Sequence, residues 1–143
     1  MGGIKMSWII FALLSAISAA LVAIFGKIGV SNIDSTLATT VRAIIMSLFL
    51  ILVSFALGKY QLITTIDSKA LGFIILAGIS GALSWLFYFI ALKLGPASGV
   101  AALDRLSVVF VLIFSVLFLA EKLTLYKLLG AILITIGAIL MIL

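Results

Sequence analysis

Five long apolar runs dominate the chain, each separated from the next by a short polar stretch. A helix that crosses a bilayer needs about 20 mostly apolar residues, since the hydrocarbon core is about 30 Å thick and each residue advances about 1.5 Å. Five segments meet that length, at approximately 7–30, 35–57, 70–92, 97–120 and 125–143. The connections carry helix punctuation. Asp67 or Ser68 can cap the third helix and Thr124 the fifth, while Gly95 can end one helix where Pro96 starts the next. The pattern predicts an all-α integral membrane protein with five transmembrane helices forming a single domain over residues 1–143. The first run is not read as a cleaved secretory signal. It stays apolar from Trp8 to Phe25 and is followed by Lys27, whereas a signal core spans about 7–15 residues.

Small and polar residues within the runs recur at helical spacing. In the first span Ala12, Ala16 and Ala20 lie at four-residue steps, beside a line of Ser15, Ala19, Ala23 and Gly26. Such lines let helix backbones approach closely in a membrane. In the fifth span Gly130 and Gly137, followed by Ala131 and Ala138, form a narrow stripe suited to helix packing inside the subunit or against a second one. The third span is more specific, with Gly78, Gly81, Ser84, Trp85 and Tyr88 at steps of three and four. A face that joins small residues to a hydroxyl, an indole and a phenol has the composition of a cavity wall. An interfacial aromatic belt is the plainer alternative, but belts sit at span ends and Trp85 lies mid-span.

Composition strengthens the membrane assignment. The 143 residues are 66% hydrophobic and 9% charged, against about 45–50% and 25% in soluble domains. So few polar side chains could not cover a globular surface. Cysteine and histidine are both absent. Disulfides, thiolate metal sites and the usual general base are thereby excluded. No span holds a pair of carboxylates, so the chain is read as a non-enzyme, with no cofactor and no metal expected. The net charge of +5 rests largely on lysines scattered at segment ends, which signals topology rather than nucleic-acid binding. Lys5, Lys59, Lys69, Lys122 and Lys127 fall on the N-terminal side, with Lys27 and Lys93 opposite. The positive-inside rule then predicts a multi-pass cell (inner) membrane protein with a cytoplasmic N-terminus and an outer C-terminus.

Three charges break the apolar pattern. Arg42 lies early in the second span, and Asp104 and Arg105 lie at similar depth in the fourth. Each costs about 2.5–3.5 kcal/mol at a helix centre, so such residues face a partner or a cavity unless they can snorkel. Both spans start from the same side, which puts all three roughly 10–12 Å below that surface. The shared depth predicts an ion pair between Arg42 and Asp104, because neighbours at i and i+1 do not face one another on a helix. Arginine can alternatively snorkel to the headgroups, and a buried pair can simply fix helix register. Asp104 is too short to snorkel, and it is the obvious proton carrier if transport is proton-coupled. A surplus arginine, with Lys27 and Lys93 at the rim, suits an anionic or zwitterionic solute.

The ordered set of short motifs in the second half resembles an EamA domain of the drug/metabolite transporter superfamily. The relevant residues are Tyr88-Phe-Ile-Ala-Leu92 followed by Lys93-Leu-Gly95, then Leu119-Ala-Glu121-Lys-Leu123, and the Gly130 to Gly137 spacing. Gly26-Lys27 and Arg42 extend the likeness into the first half. Where many members have a proline in the fourth span this chain has Ser107, within a run similar to the Asp-Lys-Leu-Ser of short, single-domain members. The missing proline argues against a kink in that helix. The resemblance implies a transporter working by alternating access, in which longer members place substrate between two inverted five-span halves. One five-span unit would need a second wall. An antiparallel homodimer supplies it and is the expected assembly, although the lysine bias fits a parallel dimer or an oppositely oriented paralogous partner better.

The resulting expectation is an oligomeric membrane transporter of a small polar or amphipathic metabolite, in contact with membrane lipid and not with nucleic acid. Arg42, Ser84, Trp85, Tyr88 and Arg105 would line the pathway, Asp104 would pair with an arginine or carry a proton, and Gly130 and Gly137 would pack helices. The rival is a non-transporting assembly factor or partner subunit, which needs small-residue faces but no water-filled cavity.

Overall fold

A computed structural model describes the backbone of residues 3–143 and side chains from Trp8 onward. The side chain of Lys5, one of the lysines that set the expected topology, lies outside the described residues. The described chain is helical throughout, with α1 (Gly3–Val30), α2 (Ser35–Ala56), a 3₁₀ segment (Lys59–Thr65), α3 (Ser68–Leu94), α4 (Ala97–Asp104), α5 (Ser107–Leu119) and α6 (Leu125–Leu140). Among the described residues, four helical runs are long and apolar enough to cross a membrane: 8–30, 35–56, 68–94 and the combined 97–119. The 16 residues of α6 reach about 24 Å, a little short of a full hydrocarbon core.

Side chains fix several helix starts. Asp34 Oδ1 accepts the Leu37 N–H at 3.0 Å at the head of α2. Asp67, rather than Ser68, caps α3 through the Ala70 N–H at 2.8 Å, and Thr124 caps α6 through Lys127 N–H at 3.3 Å. Each bond satisfies a backbone donor that the first helical turn leaves open. Pro96 opens α4 with its extended backbone, where its lack of an N–H costs nothing. Helix ends differ in quality. Gly58 stops α2 in the left-handed region at φ 65°, which glycine enters freely. At the end of α5 the same region is taken by Ala120 at φ 52°.

The fourth apolar run, expected as one helix over 97–120, is interrupted. The Arg105 and Leu106 N–H groups donate to Ala102 and Leu103 carbonyls three residues back, at 3.1 and 2.9 Å. The Val108 and Val109 N–H groups likewise reach three residues back, at 3.1 and 2.9 Å. This is a turn of 3₁₀ hydrogen bonding inside an α-helical run. No proline is involved, and nothing in the Leu103–Ser107 side chains accounts for it. The expectation of an unkinked helix rested on the absence of Pro, and the interruption arises in the backbone bonding instead.

The chain divides into two compact units, one made of 1–28 with 94–143 and the other of 29–93. In the first, α4 and α5 both contact α6. A Cβ on the buried Gly99 of α4 would meet Ile142 Cγ2 at 3.3 Å, so that approach depends on the missing side chain. Lys27 Nζ donates to the Gly95 carbonyl at 2.7 Å, tying the end of α1 to the turn before α4. The buried side chains of this unit are small: Ala23, Ala102, Ser115, Ala131 and Ala138. In the second unit Lys93 Nζ donates to the Ile33 carbonyl at 2.7 Å, joining the end of α3 to the loop before α2. Val30, Ser35, Ala38, Phe89 and Leu92 are buried there.

Candidate functional site

The site is built in the second unit, where α2 and α3 carry its polar and aromatic groups. On α2 the Thr39 and Thr40 hydroxyls donate to the Ser35 and Thr36 carbonyls at 2.8 and 2.9 Å. Their protons are thereby satisfied within the helix, as an apolar surrounding requires. Half a turn further along, Arg42 projects toward α3. Its guanidinium carbon lies 3.6 Å from the centroid of the Trp85 ring and 5.6 Å from that of Phe89. Trp85 in turn meets Tyr88 edge-on at 5.5 Å and 78° and Phe89 at 6.3 Å and 64°. The three rings belong together because i, i+3 and i+4 share one helical face. A cation over an indole face is held by the ring quadrupole, an attraction of about 2 kcal/mol or more when desolvated.

Beside this stack runs a cavity of about 1180 Å³ along α2 and α3. Thr36, Thr39, Thr40, Arg42 and Trp85 form its polar end. Met46, Leu50, Ile51, Ile79 and Leu83 supply apolar walls, and Ala43, Gly78, Gly81 and Ala82 give it room. A Cβ on Gly78 or Gly81 would meet nothing within 4 Å. Among the described residues, Arg42 is the sole charged residue of this lining. Its N–H donors make no hydrogen bond and no ion pair among the described residues, so the face of the guanidinium is occupied by Trp85 while its edges are open. Such a group can hold a carboxylate or phosphate edge-on through charge-assisted bonds.

The structure brings Arg42 and Trp85 together with Tyr88 behind them. Trp85 lines the cavity, whereas Ser84 and Tyr88 do not. Asp104 and Arg105 belong to the other unit, at the 3₁₀ turn between α4 and α5, with Asp104 half-buried and Arg105 exposed. Gly130 is half-buried and Gly137 exposed, and an added Cβ at either meets open space. The buried small residues of α6 are their neighbours Ala131 and Ala138. Sequence reasoning missed Phe89, and it missed the α2 wall. The signal for that wall was present: Thr36, Thr40, Ala43, Ser47 and Ser54 recur at three-, four- and seven-residue steps, one small or hydroxyl face along an otherwise bulky span. The rim lysines, expected to add free positive charge, donate to backbone carbonyls.

A family model for EamA-like transporters matches residues 6–143. The chain belongs to the EamA-like transporter family. A Sinorhizobium protein named as an uncharacterized transporter in the cobO 3′ region is 46% identical over 135 residues, covering 94% of this chain and 96% of the relative. An uncharacterized protein of Methanocaldococcus jannaschii is 36% identical over 92 residues, covering 64% of this chain and 67% of its own. No solved structure matches the chain significantly. Family and helix composition together make it a multi-pass membrane protein of the drug/metabolite transporter type. They point to a transporter rather than an enzyme.

Proposed function

We propose that the protein moves a small polar or amphipathic metabolite through the cell membrane by alternating access, working as a dimer. The observation that carries this reading is an arginine held within a span on an indole face, with its hydrogen-bonding edges open to a cavity. An arginine costs about 2.5–3.5 kcal/mol at a helix centre, and stacking on an indole offsets part of such a cost, about 2 kcal/mol or more when desolvated. An anion or water at the open edges adds to that offset. A purely structural arginine would instead be fully bonded or snorkelled out.

In this reading Arg42 and Trp85 bind the polar group, and Ser84, Tyr88 and Arg105 contribute to the pathway in other states of the cycle. Asp104 neutralises an arginine or carries a proton, and its place at an interrupted helix suits a part that moves, since mid-helix 3₁₀ turns often mark hinges. Gly130 and Gly137, with open space above them, are the face on which a second subunit packs; an antiparallel copy would complete the second wall. The N-terminus is cytoplasmic.

The test is a thermal-shift screen of purified protein against metabolite pools, run in parallel on Arg42→Gln. A true ligand at a hundred times its Kd stabilises the folded protein by about 2.7 kcal/mol, and the variant loses that shift while keeping its own transition. Ligands that stabilise both proteins equally would show that the cavity is not the site.

A further inference from the structure

The cavity along α2 and α3 is unequally furnished, and this bears on what it can hold. Its polar capacity is concentrated at one end. The Thr39 and Thr40 protons are spent on their own helix, which leaves Arg42 as the one charged donor of the lining. From Arg42 to Ser54 the walls are Met46, Leu50, Ile51, Ile79 and Leu83, with only the Ser47 and Ser54 hydroxyls interspersed. That stretch of α2 is about 18 Å long. A sugar or amino acid placed there would leave hydroxyl or ammonium groups without partners, each at a penalty of a few kcal/mol. A cationic head would be repelled by Arg42, and among the described residues no carboxylate lines the cavity to hold it. An apolar tail, in contrast, asks nothing of those walls that the bilayer does not already give it.

We infer that this cavity takes a membrane-borne amphipathic anion, with a phosphate or carboxylate head against the edge of the Arg42 guanidinium and an apolar tail along the groove toward Ser54. The inference rests on the transport reading of the same cavity and narrows its substrate to one chemical class. Selectivity lies in the head, because moving the tail from lipid to groove is close to neutral. The tail serves to concentrate the ligand in the bilayer beside the opening. Trp85 stacks on the face of the guanidinium and leaves the fork of N–H groups directed edge-on at the two oxygens.

The sequence supplies a reporter. It contains two tryptophans, so Trp8→Phe leaves Trp85, in contact with Arg42, as the one source of indole emission. In lauryl maltoside micelles, which present the tail without the charge, lauryl phosphate is titrated against inorganic phosphate and lauryl trimethylammonium. The expected result is a saturable change in Trp85 emission with lauryl phosphate alone, with affinity weakened about ten- to a hundredfold by Arg42→Gln. Gly81→Leu is the second variant. It adds bulk where a Cβ meets open space, so it fills the groove without disturbing Arg42 and weakens lauryl phosphate by about tenfold or more. Three results overturn the inference: an Arg42-dependent response to inorganic phosphate as strong as that to lauryl phosphate, a lauryl phosphate response that survives Arg42→Gln, or no response to lauryl phosphate. The first leaves the transport reading standing with a water-soluble anion. After either of the others, that reading is decided separately by thiol labelling of the groove.

Discussion

Arg42 illustrates how a single charge organises an apolar helix pair. It projects from α2 and its guanidinium covers Trp85 of α3, so charge and flat shape are both used. Lysine shares the charge but lacks the plane and the fork of donors. Arg42→Lys is therefore expected to retain part of the ligand-induced thermal shift, and Arg42→Gln to abolish it; equal loss in both would assign the role to the planar stack alone. Asp34 is a second residue with a specific role. The Leu37 N–H that it accepts holds its carboxyl below the usual carboxylate range, with Lys93 as a weaker contributor. Since the folded pKa is depressed, the stabilisation is present above the ordinary carboxylate pKa and is lost as pH falls through the lower folded value. Melting temperature against pH should thus decline at acid pH in the native chain. Asp34→Asn, which still caps the helix, should flatten that part of the decline. At this scale Arg42 and Trp85 were legible as an intramembrane charge and a mid-span aromatic. Their contact was not, because nothing in either span alone specifies how one helix faces the next.

At the scale of elements, punctuation was the readable part. Asp67, Thr124 and Pro96 act where their chemistry predicts, and Gly58 takes a left-handed turn that suits its missing Cβ. The two left-handed helix ends give opposite predictions. Ala120→Gly relieves the strain of a Cβ at φ 52° and should stabilise the protein by about 1 kcal/mol. Gly58→Ala imposes the same strain at φ 65° and should destabilise it by about as much. Chemical denaturation in one detergent checks both, and equal signs would contradict the reading. The interruption at Arg105–Leu106 was not legible. It lies in four hydrogen bonds that step back three residues rather than four, and Leu103–Ser107 carries none of the residues that usually break helices. If this turn hinges and Asp104 carries a proton, Asp104→Asn should remove the pH dependence of transport in proteoliposomes while the protein still folds. Unchanged pH dependence would restrict Asp104 to a structural part.

For the whole molecule, the apolar run lengths and the family likeness made a membrane-embedded transporter readable from sequence, while the assembly was not. In each candidate span only 6–11% of the most apolar window is buried inside the chain. The rest of each surface is open to lipid or to another subunit, and hydropathy does not distinguish the two, since a lipid tail is as apolar as a leucine. The dimer face is thus proposed from Gly130 and Gly137, where no Cβ obstructs approach. Gly137→Leu should shift the protein toward monomer in sedimentation or light scattering, with its thermal transition kept. An unchanged oligomeric state would move the interface elsewhere.

The central claim is that the groove beside Arg42 opens to water on both sides of the membrane in turn. The native chain has no cysteine, so Ser47→Cys places a single thiol in the lining of that groove. Sided labelling of this thiol in sealed vesicles, with a membrane-impermeant reagent, tests the claim most directly. The account predicts labelling from either face, slowed from both by a bound ligand. Labelling from neither face, in a folded sample whose thiol reacts once detergent is added, would contradict it.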